Sequence, residues 1–281
     1  MESVAVKAYA KINLTLHITG TEKGYHMLDS LVASIGLYDE IFLKKRRDGQ
    51  IFVTMHGMGS ESIPHDGNNA VKAGKLFVEK FATHGADIEI IKNIPMGAGL
   101  GGSSTDAAGV LNGLAKLYNI DDFGSLKLIA DQTGSDTGYL LTGGWARLSG
   151  RGNQVKPIDS KFKAHILLLV PEVNVSTAQC YAKFDQSGTV GGNSERAERA
   201  VIDGDIKALA AELSNALMPA AALLSEEIAN CMEELKKFSP LAVNMTGSGC
   251  CVYALFENKE KCDKALSRYG VRAKAYILEV K

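Results

Sequence analysis

The stretch Ile88-Glu89-Ile90-Ile91-Lys92-Asn93-Ile94-Pro95-Met96-Gly97-Ala98-Gly99-Leu100-Gly101-Gly102-Ser103-Ser104-Thr105-Asp106-Ala107 decides how this chain is read. Its left end, Ile88 to Ile91, is a short apolar run of strand length ending at Lys92. To its right Ala107, Val110, Leu111, Leu114, Leu117 and Tyr118 recur at helical spacing. Glycine fills positions 97, 99, 101 and 102 in between, so the order is strand, glycine loop, helix. A serine or threonine is expected at the helix N-cap, with Asp106 in the first turn. Glycines let backbone N–H groups approach a ligand without intervening side chains, and the positive end of the following helix favours phosphate.

Three familiar motifs come close here and fail on context. Gly97-x-Gly99-x-x-Gly102 has the letters of the dinucleotide fingerprint, with Asp121 and Asp122 about 20 residues on. The helical periodicity up to Tyr118 leaves no room for the strand that should carry that acid. No lysine follows Gly102, so the Walker loop is absent. Asp136-Thr137-Gly138 spells the aspartic protease triplet, but that chemistry needs two carboxylates sharing a proton, and the flanks Gly134-Ser135 and Tyr139-Leu140-Leu141 are not the apolar run such an aspartate follows.

Outward from the loop, Ile12, Leu14, Leu16 and Ile18 alternate with Lys11, Asn13, Thr15 and His17, which predicts a strand with one core face and one wet face. On that reading His17 is a surface residue. Residues 20–24 read as a loop, Ile51 to Met55 as a strand, and 69–82 as a helix. The second half reads as a strand over 166–170, a long helix carrying Leu224, Ile228, Cys231, Met232, Leu235 and Phe238, a turn at Thr246-Gly247-Ser248-Gly249, a strand over 250–256, a further helix and a final strand over 274–280. A chain of 281 residues is about the size at which one core becomes two, and the glycine-rich stretch 143–152 places the boundary near 155. The expected domains are 1–155, which carries the glycine loop, and 156–281.

Composition narrows the function. Lysine plus arginine (31) nearly cancels aspartate plus glutamate (32), so no global field draws the chain to nucleic acid or an anionic membrane. The apolar run Ile166 to Val170 stops at Pro171, far short of the roughly 20 residues a bilayer requires. No secretory signal is read at Met1-Glu2-Ser3-Val4, and a cytoplasmic location is expected. Five cysteines without C-x-x-C spacing argue against a disulfide framework or zinc site and for buried thiols.

Ala8-Tyr9-Ala10-Lys11-Ile12-Asn13-Leu14, Gly24-Tyr25-His26, the loop from Ile94 to Ser104, and Met245-Thr246-Gly247-Ser248-Gly249 together resemble the motifs of the GHMP kinases in their order, and the first two resemble those of the kinases that act on a diphosphocytidyl methylerythritol. The resemblance spans residues 8–256, including 175–178 and 215–217. It implies an α+β, two-domain GHMP kinase fold, with an N-terminal domain like the second domain of ribosomal protein S five and a ferredoxin-like C-terminal domain. It implies ATP and Mg2+ as cofactors and transfer of a phosphoryl group to the C2 hydroxyl of a cytidine diphosphate-linked methylerythritol, in isoprenoid precursor synthesis. Carried over by position, Lys11 and Asp136 would be catalytic. Asn68, Lys92, Pro95, Met96, Gly97, Ala98, Gly99, Leu100, Gly101, Gly102, Ser103, Ser104 and Thr105 would hold the nucleotide, and Asn13, Tyr25, His26, Thr177 and Tyr181 the substrate. No magnesium ligand is named. Relatives usually have three glycines before Ser-Ser and Asp-Val-Pro where this chain has Asp136-Thr137-Gly138, a change that reads as a flexible element replacing a rigid one beside the base. A small-molecule substrate is expected for a monomer or weak homodimer. The alternatives left open are a GHMP kinase for another small alcohol, mevalonate-type or sugar, and a non-catalytic nucleotide-binding paralogue.

Overall fold

In a computed structural model, residues 2–62, 67–269 and 273–280 are described. In chain order the elements are β1 (Ser3–Asn13), β2 (Thr15–Glu22), β3 (Tyr25–Lys45), β4 (Ile51–Gly57), α1 (Asn69–Phe81), β5 (Ala86–Lys92), α2 (Gly102–Tyr118), α3 (Phe123–Thr133), α4 (Thr137–Leu140), β6 (Trp145–Gly150), β7 (Gln154–Ile158) and β8 (Ala164–Val170). There follow α5 (Thr177–Ser187), α6 (Glu195–Asp203), α7 (Ile206–Glu212), β9 (Ser214–Asn215), α8 (Met218–Leu224), α9 (Glu226–Lys236), β10 (Ala242–Met245), β11 (Val252–Phe256), α10 (Lys259–Arg268) and β12 (Lys274–Val280). Two compact units emerge, and neither is a contiguous half of the chain. The first contains residues up to Ala10, Leu37–Met96 and Gly101–Gly143; the second contains Lys11–Gly36, Gly97–Leu100 and the chain from Gly144 on.

In the first unit β5 runs parallel to β4 and antiparallel to β3, from Lys45 opposite Ala86 to Glu40 opposite Ile91. Val4, Ala8, Ile41, Leu43, Ile88 and Ile90 from the strands meet Phe77, Val110, Leu111 and Leu114 from α1 and α2 in one core. Two glycines set how closely α2 lies on the strands: a Cβ at Gly109 or Gly113 would overlap the side chain of Ile41 or Leu43. The helix predicted over 69–82 and the strand ending at Lys92 are both present.

The second unit contains an antiparallel sheet in the spatial order β12-β8-β11-β10, with α9 and α10 packed on it. The chain order of β8, helices, β10, β11, α10, β12 with that strand order is the ferredoxin-like arrangement. β8 is buried along Ile166 to Leu169, as a central strand covered on both faces should be. The long helix of the sequence reading is divided at Ser225, where the extended backbone (φ −152, ψ 121) separates α8 from α9. All five cysteines are free and buried. No helix among the described residues is long and apolar enough to cross a membrane.

Several local expectations are corrected. The hairpin between β2 and β3 turns on Lys23 and Gly24 alone, both left-handed (φ 50 and 79), so residues 20–22 are strand and not loop. β3 runs for 21 residues where no long strand was anticipated. Lys11, Asn13 and Thr15 do not face water. They are buried, because Ser30, Ser194 and Thr246 supply polar partners that make burial tolerable. His17 is half-buried rather than on the surface, its Nε2 lies 3.4 Å from Ser214 Oγ, and burial lowers its pKa.

Candidate active site

In the first unit the chemistry gathers at the start of α2. The expected serine or threonine N-cap is replaced by Gly101, left-handed at φ 76 and with no side-chain cap bond. Asp106 is the fifth helical residue and lies past the first turn. Among the described residues, the N–H groups of Gly102, Ser103 and Ser104, the first three of the helix, therefore have no side-chain cap and no preceding turn to bond, while Thr105 N donates to Gly101 O at 2.8 Å. An uncapped helix start with adjacent hydroxyls is suited to an anion. Asn69 Nδ2 donates to Ser103 Oγ at 2.9 Å, and Thr105 Oγ1 to Tyr9 O at 3.4 Å.

Beneath that helix start lies a buried ion cluster that the sequence reading missed. Lys92 Nζ donates to Asp39 Oδ2 and, at 2.6 Å, to Asp106 Oδ2. Asp39 Oδ1 also accepts the backbone N–H groups of Asn93 (2.5 Å) and Ile94 (2.9 Å). All three side chains are almost fully buried. Asp106 Oδ1 is buried without a hydrogen-bond partner, and desolvation pushes its pKa up to about 7 against the pull of Lys92. Lys92 is raised as well: burial opposes its charge, and the two carboxylates outweigh that. A Cβ on Gly102 would sit 3.9 Å from Lys92 Nζ, so the cluster lies directly under the helix start. Asp39 and Asp106 are far apart in sequence, and only the pairing of β3 with β5 and the seat of α2 bring them to one lysine.

Other expected nucleotide residues fall in the same unit. Asn68 is the N-cap of α1, accepting from Ala70 N at 2.9 Å. Pro95 is buried and Met96 exposed. Asp136 occupies the N-cap position of α4, half-buried, and makes no capping bond. Thr137-Gly138 is not the flexible element expected from the sequence: both residues are buried in the helical turn of α4. A Cβ on Gly138 would come 2.8 Å from Asp131 Oδ1, so glycine here serves close packing.

In the second unit, Lys11 Nζ donates to Asn13 Oδ1 at 2.7 Å. Asn13 Oδ1 also accepts from Gly247 N at 3.1 Å, and its Nδ2 donates to Ser30 Oγ at 2.8 Å. Residues 97–100 are fastened to this hub. Lys11 N donates to Leu100 O, Thr246 Oγ1 to Gly99 O, and Cys251 N to Ala98 O, at 3.2, 3.2 and 3.3 Å. Asn215 Nδ2 bonds Met245 O and Gly247 O, holding the turn from its other side. Gly97, Gly99 and Gly101 have φ of 63, 76 and 76, so every second residue of this stretch is left-handed. Ala98 and Leu100 are buried between them, so alternate residues anchor the loop.

The expected substrate residues also lie in this unit. His26 stacks on Tyr181 (ring centroids 4.7 Å apart) and meets Phe184 edge-on at 6.2 Å. His26 Nε2 lies 2.6 Å from Asp185 Oδ1; a carboxylate only accepts, so Nε2 carries the proton and Nδ1 is the nitrogen left for another partner. Tyr25 is half exposed, with the Arg151 guanidinium over its ring. Thr177 Oγ1 is paired with Ser248 Oγ at 2.9 Å. Asn13 is the exception: its side chain is engaged within the protein and holds Lys11.

The chain is similar to known proteins along nearly its whole length. The family model for the GHMP kinases N terminal domain matches residues 68–144, and that for GHMP kinases C terminal matches 197–272. The chain is 37% identical over 278 residues to the 4-diphosphocytidyl-2-C-methyl-D-erythritol kinase of Caldicellulosiruptor saccharolyticus, covering 97% of this chain and 95% of that one. It is 37% identical over 262 residues to the protein of the same name from Clostridium beijerinckii, covering 91% and 92%. A crystal structure of 4-(cytidine 5'-diphospho)-2C-methyl-D-erythritol kinase superposes with a TM-score of 0.80 at 27% identity over 99% of both chains. Homoserine kinase from Cytophaga hutchinsonii shares the fold at a TM-score of 0.77 and 15% identity, over 100% of this chain and 95% of that one.

Proposed function

The chain belongs to the GHMP kinase family, and we propose that it transfers the γ-phosphoryl group of ATP to the C2 hydroxyl of 4-diphosphocytidyl-2-C-methyl-D-erythritol, a step of non-mevalonate isoprenoid precursor synthesis. The observation that carries the choice of substrate is the ring contact of His26 with Tyr181, with the exposed ring of Tyr25 on the preceding residue of β3. Mevalonate and homoserine have no ring to stack there, whereas a cytosine has both a π-face and a donor–acceptor edge.

The N–H groups at the α2 start would receive the phosphates, with Asn68, Pro95 and Met96 lining the nucleotide's approach and Lys92 acting from beneath, through Asp106 and the helix start, rather than on the nucleotide. Asp136 would accept the proton of the substrate hydroxyl, and Lys11, held by Asn13, would offset negative charge on the transferred group. Tyr25, His26, Thr177 and Tyr181 would orient the cytidine. Among the described residues no three His, Cys, Asp or Glu side chains form a cage for a metal. Mg2+ ordinarily binds through phosphate oxygens, water and one or two protein oxygens, and the hydroxyls of Ser103 and Ser104 fit that demand. When bound, the ion would neutralise charge on the phosphates. We assign the enzyme to the cytoplasm, as a monomer or weak homodimer.

The test is an ATP-dependent kinase assay over a panel of alcohols. Turnover on the cytidylated methylerythritol and not on mevalonate, homoserine or a sugar is the expected outcome. Preference for an uncytidylated alcohol would overturn the assignment, and nucleotide binding without turnover on any alcohol would point to a non-catalytic paralogue.

A further inference from the structure

We propose that Arg151 sets the preference of the base site for a nucleoside diphosphate over a bare nucleoside: its guanidinium covers a face of Tyr25 in the free protein and leaves that face for the diphosphate when the base stacks. The inference rests on the cytidine-binding reading above. Arg151 stands at the tip of the β6–β7 hairpin, between Gly150 and Gly152, both left-handed at φ 65 and 91. Only its backbone is tied down locally, by donation from its N–H to Asn153 Oδ1 at 3.2 Å. The register of β6 on β3 sets Gly150 opposite Leu28, so the tip runs on toward the Tyr25 end of β3. There Arg151 Cζ lies 3.5 Å from the centroid of the Tyr25 ring.

That separation is the stacking distance of two planar groups, so the guanidinium fills the volume a pyrimidine would need on the same face. Tyr25 is 52% exposed and Arg151 is exposed, so neither is locked by the core. The charge of Arg151 is held by the ring face and by no carboxylate among the described residues. A cation over an exposed ring is weakly held, whereas a guanidinium on phosphate makes stronger, charge-assisted and bidentate bonds. A ligand that brings base and diphosphate together exchanges the weaker contact for the stronger one. A base without phosphates must displace the guanidinium and offers it nothing in return.

The experiment is calorimetric titration of the native protein, Arg151→Ala and Arg151→Lys with cytidine and with cytidine diphosphate. In the native protein the diphosphate is expected to bind at least about tenfold more tightly. Arg151→Ala should weaken the diphosphate about tenfold and tighten cytidine about two- to fivefold, because the face of Tyr25 is then open. Arg151→Lys should retain part of the diphosphate preference, since charge remains while planar stacking is lost. In a Tyr25→Ala background, removing Arg151 should no longer tighten cytidine. An unchanged ratio of the two affinities in Arg151→Ala would overturn the proposal, as would equal weakening of both ligands, which marks Arg151 as a prop for Tyr25. Failure of the native protein to bind either ligand would remove the base site itself, and the proposal with it.

Discussion

Lys92 and Lys11 are both buried lysines at strand ends beside the glycine-rich segment, yet their surroundings differ in kind. Lys92 is clamped by two carboxylates that are themselves buried, so its charge is neutralised in place. Lys11 Nζ donates to the amide oxygen of Asn13, which positions the ammonium. Burial alone does not distinguish a structural charge from a chemical one. Position does: the Lys92 cluster underlies a helix start, while Lys11 belongs to the hub that fastens residues 97–100 and is the lysine proposed to act on a developing negative charge.

The sharpest way to break this contrast is through turnover. Asp136→Asn is expected to lower kcat by about 10² to 10⁴. Lys11→Met should fall in the same range while unfolding within about 1 kcal/mol of the native protein, because Asn13 Oδ1 keeps Gly247 N as a donor. Single-turnover kinetics and urea denaturation on the same samples separate the two quantities. A Lys11→Met protein that turns over normally but unfolds early would make Lys11 a second structural lysine.

Lys92→Met should behave in the opposite way. It strands Asp39 and Asp106 together in the core, which is expected to cost about 3 to 5 kcal/mol of stability. Adding Asp106→Asn should recover part of that loss, since one of the stranded carboxylates is removed. A stable Lys92→Met protein would show that the cluster contributes little to the first unit.

The strands, helices and loop around residues 88–118 were legible because their signals are local: apolar spacing of 2 or 3.6 and dense glycine. The ferredoxin-like arrangement was available only through family resemblance, because strand order depends on long-range pairing. What could not be read was the polar side of residues 11–17. Alternation shows that Lys11, Asn13 and Thr15 share a face, but their burial depends on Ser30, Ser194 and Thr246, which arrive from remote segments. Asp39 escaped for the same reason, lying 53 positions from the lysine it pairs with. Gly101 as N-cap was missed because a serine or threonine rule assumes that the helix start must be satisfied from within, and this one is left open.

A smaller effect sharpens the account of the Lys11 hub. Asn13→Ala would leave Ser30 Oγ, Gly247 N and Lys11 Nζ each short of a buried partner. A loss of about 1 to 3 kcal/mol is expected, with kcat falling as well because Lys11 is no longer held. A variant that loses stability but retains kcat would show that Lys11 keeps its place without Asn13.

The smallest effect concerns pH and falls on the other cluster. Of its two carboxylates, Asp39 accepts two backbone N–H groups as well as Lys92, while Asp106 has Lys92 on Oδ2 and nothing on Oδ1. The shared proton therefore belongs on Asp106, whose pKa burial raises from 3.8 to about 7. A carboxyl raised on folding binds its proton more tightly in the native state. Its contribution to stability is complete below about pH 4 and is lost as pH rises to about 7, beyond which the slope ends. The raised pKa of Lys92 acts only in the alkaline range, and the lowered pKa of His17 gives a slope of opposite sign as pH rises toward 6.5. Comparing native protein with Asp106→Asn removes the His17 contribution from the difference. The melting temperature of the native protein relative to Asp106→Asn is expected to decline between pH 5 and about pH 7 and then level off. Parallel melting curves across that range would mean that Asp106 is ionised throughout, and that the Lys92 cluster carries a net negative charge under α2 at every pH tested.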